Sequence, residues 1–213
     1  PNVAINNDSE AICVFSGEID NDQEIFYTLF QSETPGDIIQ FTFDCDFNDT
    51  SPSVVYENDG TPYIVWLKHK YLTKNNETLY DGNLYYRRVG STQVEAVRIT
   101  NGSVYDPLAF QSQSTTSLRD GDADFAVGWK SGKMSNELRY AQIKTNVRND
   151  DGYDGDLIYS SDKKLSEVFW CFSPEGIAIA TTERETIRTG GKNCDLSFIY
   201  KSTLDNSPPY IPT

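Results

Sequence analysis

This 213-residue chain is poor in the residues that most catalytic and metal centres use. It has one histidine, His69, and one methionine. A Ser-His-Asp relay or a multi-histidine metal site therefore has almost no raw material. His69 stands between two lysines in "LKHKY" and reads as a solvated edge residue. No apolar run is long enough to cross a bilayer, and no signal-like segment is present. Basic residues are also scarce, 18 Lys and Arg against 32 Asp and Glu, for a net charge of −14. Phosphate backbones would be repelled, which excludes nucleic acid as a partner and disfavours an anionic membrane surface. An apolar period of three to four residues is missing over every ten-residue window, so essentially no helix is expected.

What the chain does have is a phrase repeated four times. "EIFYTLF" at 24–30, "NLYYRRV" at 83–89, "ELRYAQI" at 137–143 and "DLSFIYK" at 195–201 align without a gap. Each opens with an acid or Asn, continues with Ile or Leu, and carries an aromatic ring at its fourth place. Those rings are Tyr27, Tyr86, Tyr140 and Phe198, and a ring recurring at one place in every repeat is expected to pack between repeats. Two short strands precede each phrase, clearest in "PSVVYENDGTPYIVW" from Pro52 to Trp66, with Asn58–Gly60 as the turn. Pro1, Pro52 and Pro107 are expected to open strands, where proline loses no ladder bond. A fourth short run follows at 38–43, 94–100 and 157–160. The unit is four antiparallel strands, and four such units predict an all-β fold, a β-propeller of four-stranded blades with four sequence repeats.

The segment from Ser51 to Thr100 resembles the blade of sialidase-like (BNR-type) propellers of secreted and surface proteins. The resemblance weakens toward the fourth repeat. The Ser-x-Asp-x-Gly-x-Thr-Trp box of that family is missing, its turn being the shortened "GSTQ" at 90–93. The resemblance therefore implies the scaffold alone. The arginines show no placement at equivalent blade starts, as a sialidase carboxylate clamp would need.

The repeats run about 1–46, 47–102, 103–162 and 163–203, making one propeller domain over 1–205 whose last blade lacks its outer strand. Residues 206–213, with Pro208, Pro209 and Pro212, read as an extended linker toward a further module of the same polypeptide. A chain that opens on Pro1 is expected to be a processed or excised piece, secreted or cell-surface. Four Asn-x-Ser/Thr sequons, at Asn7, Asn48, Asn76 and Asn101, fall in segments read as loops and support that setting. Cys13, Cys45, Cys171 and Cys194 allow three pairings, or none if Cys13 and Cys171 are small core residues.

Acidic loops are the candidate metal sites. "RNDDGYDGD" gathers Asp150, Asp151, Asp154 and Asp156 around two glycines, a geometry suited to calcium and equally to a solvated turn. "DCDFND" at 44–49 and "DGDAD" at 120–124 are further candidates. Trp66 and Trp129 are candidate ligand-binding platforms for sugar rings, against a reading as interblade packing. No spacing singles out a pair of catalytic carboxylates. The expected function is thus a non-catalytic module for cell-surface architecture, adhesion or carbohydrate binding, its partner a carbohydrate or another surface protein. The alternatives are a fragment of a glycoside-processing enzyme and a scaffold that docks proteins on an open blade edge.

Overall fold

A computed structural model describes residues 1–31, 34–57, 59–74, 77–90, 95–100, 114–117, 125–131, 136–145, 155–173, 176–184, 194–202 and 209. These are strands and turns, and they build four antiparallel sheets. Sheet one contains β1 (Asn2–Ile5), β2 (Ala11–Ile19), β3 (Asp22–Gln31), β4 (Thr34–Pro35) and β5 (Ile39–Gln40), with β4 and β5 both paired to β3. Sheet two is β6 (Asn48–Tyr56), β7 (Pro62–Lys74), β8 (Glu77–Arg88) and β9 (Val97–Arg98) in chain order. Sheet three is β10 (Ser114–Ser117), β11 (Phe125–Ser131), β12 (Glu137–Ile143) and β13 (Asp156–Ser160). Sheet four is β14 (Lys164–Ser173), β15 (Gly176–Arg184) and β16 (Cys194–Ser202). Each copy of the repeated phrase lies in the third strand of its sheet. The chain divides into two compact units, Pro1–Ser103 with Lys144–Asp154, and Val104–Ile143 with Gly155–Thr213.

Local chemistry explains the hairpins. Ile19 pairs with Asp22 across the two-residue turn Asp20-Asn21, both at positive φ (52° and 68°). Asp and Asn tolerate that conformation, and this turn matches the twist of the strands it joins. The first turns of repeats one and two are the same device. In one, Asn6 N–H donates to the Glu10 carbonyl and Ser9 stands at φ 63°; in the other, Glu57 N–H donates to the Thr61 carbonyl and Gly60 stands at φ 82°.

The opening residue of the phrase also gains a reason. The Thr42 hydroxyl accepts from Ile25 N–H at 2.8 Å and donates to the Glu24 carboxylate. In sheet two, the Thr100 hydroxyl accepts from Leu84 N–H at 3.0 Å and bonds the Asn83 amide oxygen at 3.1 Å. An acid or Asn is needed because its side-chain oxygen receives a hydroxyl from the outer part of the blade.

Sheets one and two pack face to face in the first unit. Strand alternation sends Ile12, Val14, Ile25 and Tyr27 to one side and Val54, Tyr56, Ile64 and Trp66 to meet them, with Phe41 between. Phe41 stands edge-on to both Tyr27 and Trp66, with ring centres 6.0 and 5.5 Å away. Sheet two buries its other side as well, through Val55, Val65, Leu67, Leu84 and Tyr86. In the second unit, Leu138 of β12 packs with Leu165, Val168, Ile177, Ile179 and Ile199 of sheet four, flanked by Tyr140 and Trp170.

Three sequence expectations change. Phe198 is 55% exposed, because Ile199 is the residue of β16 turned to the core and strand alternation sends Phe198 to the opposite face. His69 is 8% exposed rather than solvated, since β7 continues through it and pairs it with Asn48 and Gly82. Pro52 does not open a strand: β6 begins at Asn48, and the ladder is irregular between Thr50 and Ser53, with Ser51 at φ 53°. Proline fits that irregularity because no ladder N–H is required there. Pro107 lies outside the described residues.

Gly128 of β11 tests the packing in the second unit. A Cβ there would come within 2.7 Å of the Trp170 ring. Gly128→Ala should cost about 1–3 kcal/mol, the usual range for overpacking, read by chemical denaturation; a loss under about 0.5 kcal/mol would place Trp170 elsewhere.

Candidate active site

One end of the first unit carries a cavity of about 420 Å³, lined by Ile19, Asp20, Asn21, Asp22, Glu24, Gln40, Phe43, Cys45, Asp46, Phe47 and Asn48. That volume lies within the usual range for small-molecule sites. One wall is the β2–β3 turn and the first residues of β3. The other is the linker from sheet one to sheet two. Asp22 and Glu24 both line the cavity and are two residues apart on β3. The pleat sends alternate side chains to one face, spacing their Cα atoms by about 6.6 Å.

Glu24 is buried, and burial pushes its carboxyl above the ordinary range. The hydrogen bond from Thr42 opposes that rise, and the charge of Asp22 adds to it. Asp22 accepts from Gln23 N–H at 2.9 Å on one oxygen, while its second oxygen is buried with no protein hydrogen-bond partner. Behind them lies Asp49, at 1% exposure. Its carboxylate accepts from the Trp66 indole N–H at 2.9 Å and is also hydrogen-bonded to Thr42. Desolvation raises Asp49 to about 7 against the pull of Lys68 and these hydrogen bonds. A hydroxyl has one proton to give. With Thr42 donating to Glu24, its bond to Asp49 is satisfied when Asp49 brings its own. His69, packed behind the same strands, is held below its ordinary value by burial, which the charge of Asp22 partly offsets.

The linker wall is aromatic. Phe43 is 74% exposed, the most exposed large apolar side chain described, and lies in the cavity lining. Phe47 beside it carries the ammonium groups of Lys68 and Lys70 over its ring, 5.0 and 4.1 Å from the centre. Two carboxyls on one pleat, one held above its ordinary range by burial, opposite an exposed ring, suit acid–base chemistry on a sugar.

The residues singled out from sequence fare differently. Trp66 and Trp129 are each 2% exposed, so neither offers a ring face to a ligand; Trp66 instead binds Asp49 and stacks on Tyr85. The acidic loop at 44–49 does reach the cavity, but its carboxylates diverge. Asp44 pairs with Lys68, Asp46 faces the cavity and Asp49 turns inward. Asp150, Asp151 and Asp154 and the loop at 120–124 lie outside the described residues, and Asp156 opens β13 exposed. Among the described residues no three acidic, cysteine or histidine side chains converge on a metal position. Asn7 is exposed in a turn, Asn48 opens β6 partly buried rather than in a loop, and Asn76 and Asn101 are outside the described residues. Cys13 and Cys45 are free thiols. Sequence reasoning missed Asp22, Glu24 as a cavity residue, and Phe43. The signal for the pair was present in "DNDQE" at 20–24, acids two apart leaving a tight turn into a strand.

No family model matches the sequence, and no curated protein matches it. Solved structures do match, and they are β-propellers. An α-L-arabinanase from Penicillium chrysogenum, solved with arabinobiose, aligns over 92% of this chain and 55% of its own, at 14% identity and a TM-score of 0.54. The GH43 endo-arabinanase of Bacillus licheniformis aligns over 97% of this chain and 74% of its own, at 12% identity and TM-score 0.50. An exo-1,5-α-L-arabinanase from a bovine ruminal metagenomic library aligns over 99% and 76%, at 10% identity and TM-score 0.50. The chain thus spans about half the length of the Penicillium enzyme. At such identities the likeness establishes the β-propeller fold. The propeller part of the sialidase-like resemblance holds on that ground. The expectation of a non-catalytic adhesion or binding module is corrected: the matched structures are glycoside hydrolases, which favour the glycoside-processing alternative.

Asp49 yields a pH prediction. A carboxyl raised from 3.8 to about 7 by folding binds its proton more tightly in the native state. Its contribution to stability is complete below pH 4 and is lost as pH climbs through 7. Asp49→Asn keeps an oxygen for Trp66 and removes the titration. Its stability relative to wild type should rise by up to about 1.4 kcal/mol per pH unit across that window, measured by urea unfolding at several pH values. A pH-independent difference would mean that Asp49 is ionised throughout.

Proposed function

We propose that this chain cleaves glycosidic bonds of a neutral pentose polymer, of the arabinan type on which the matched propellers act, in the cavity between the β2–β3 turn and the Phe43–Asn48 wall. The observation that carries this reading is the pair Asp22 and Glu24 on one pleat of β3 with Phe43 facing them. Glu24, raised by burial, is the proton donor to the leaving oxygen. Asp22, with an unpartnered buried oxygen, is the base that draws a proton from water. Direct displacement with inversion would need the two carboxyl groups about 6.5–9.5 Å apart, with that water between Asp22 and the sugar. Phe43 gives an apolar sugar face a ring to stack on.

Turnover follows the protonated form of Glu24, so it falls as pH rises past that group's elevated value. Glu24→Gln is a clean test, because the amide of Asn83 fills the equivalent clasp in sheet two and shows that an amide oxygen suffices for the fold. With linear 1,5-α-arabinan as substrate and reducing ends as readout, Glu24→Gln and Asp22→Asn should each lose about 10²–10⁴-fold in kcat. Phe43→Ala should chiefly raise KM. A wild-type protein that releases no sugar from arabinan or from aryl pentofuranosides, or a Glu24→Gln variant as active as wild type, overturns the reading.

A further inference from the structure

The linker that forms the aromatic wall is held from one side by cations of sheet two. Along β7, Trp66, Lys68 and Lys70 share one face, so that face changes from core to charge as the strand runs past the packed sheets. Trp66 stays in the core against Phe41. Lys68 forms an ion pair with Asp44 and lies over the Phe47 ring at 5.0 Å and over the Tyr85 ring at 5.8 Å. Lys70 lies over Phe47 at 4.1 Å. At the start of the linker, Arg87 of β8 repeats the arrangement. Its guanidinium stands 4.1 Å from the Phe41 ring centre and donates to the Phe41 carbonyl.

Besides these cations, the root of the linker is anchored to β3 by the Thr42 hydroxyl, bonded to Ile25 N–H and Glu24, and by the Asp44 backbone N–H on Glu24. Asp46 N–H donates to Asp44 at 3.0 Å, a bond internal to the segment, and Asn48 accepts from Gln23 N–H at a long 3.3 Å. Phe43, Cys45 and Asp46 are exposed. Ammonium groups over a ring face are attracted by its quadrupole, more strongly where water is partly excluded. A lysine's four-carbon stem can lie along apolar surface while its charged head reaches a ring.

We infer that Lys68 and Lys70 form a clamp on Asp44 and Phe47 that sets the position of the Phe43–Asn48 wall, and thereby how tightly the cavity holds its sugar. They are positioning residues, acting through the linker rather than on the reacting bond. This rests on the glycoside reading for its consequence in substrate binding, but not for the clamp itself. Asp22 and Glu24 belong to β3, and the Glu24 carboxyl is also tied to the linker through the Thr42 hydroxyl and the Asp44 backbone N–H, beside the Lys68 ion pair. Lys70 lies over Phe47 while Lys68 still holds Asp44, so losing Lys70 alone loosens the wall and affects binding more than the chemical step.

The test uses Lys70→Met, which keeps the stem and removes the charge, and Lys70→Arg, which restores a cation over the ring. Amide hydrogen exchange across 43–48 should quicken about two- to thirty-fold in Lys70→Met, the span of one cation–π contact, and return toward wild type in Lys70→Arg. With arabinan, the same factor should appear in KM while kcat changes little. Exchange in Lys70→Met equal to wild type overturns the clamp whatever the activity. A clamp seen in exchange alongside a wild-type protein inert on every glycoside leaves the clamp standing and removes the glycoside reading. Faster exchange with KM unmoved in an active enzyme overturns the link between wall and substrate.

Discussion

Burial of a sheet on both faces is the constraint from which the rest of the first unit follows. Sheet one meets sheet two through Tyr27, Phe41 and Trp66, three rings arranged edge to face. Such pairs contribute about 0.5–1.5 kcal/mol each beyond the area they bury. With that seam fixed, the chain has little freedom at its end. The β2–β3 turn and the linker into β6 must emerge beside one another, and the cavity is the space left between them. Phe41 belongs to both systems, because its ring completes the seam and its carbonyl receives Arg87 at the root of the linker.

The electrostatics of the cavity follow from the same packing. Asp49 sits where β6 enters the seam, and its neighbour across the ladder is Lys68. Burial raises its carboxyl although that cation is close, because the cost of desolvating a charge exceeds what one partly exposed ammonium returns. Thr42 then joins Asp49 to Glu24, so the residue that clasps the blade also ties the pocket carboxyl to a deeper one. A clasp that uses Asn in sheet two uses Glu in sheet one. That single difference turns a structural position into an ionisable group facing a cavity.

Much of the fold was legible in the sequence because strand-three rings and turn residues such as Asp20-Asn21 and Asp59-Gly60 are local signals. The phrase at 24–30, 83–89, 137–143 and 195–201 marks the third strand in every sheet. The site was far less legible. Asp22 and Glu24 look like two among 32 acids until the hairpin turn places them on one pleat facing the linker, a relation between segments twenty residues apart. His69 looked solvated because its flanking lysines are polar, yet alternation along β7 sends the lysines and the imidazole to opposite faces. Trp66 was open to two readings, a sugar platform or packing between blades, and its 2% exposure selects packing. Its burial depends on sheet one, which no local pattern reports. Phe198 shows the converse, since a ring that follows the phrase perfectly is exposed where no described sheet covers it.

The most direct measurement is a crystal structure of the protein soaked with a short α-1,5-linked arabino-oligosaccharide. The account predicts a sugar ring lying on Phe43, with a glycosidic oxygen within hydrogen-bond distance of Glu24 and a water between the anomeric carbon and Asp22. A sugar bound elsewhere, with Asp22 and Glu24 still facing an empty cavity, would contradict it.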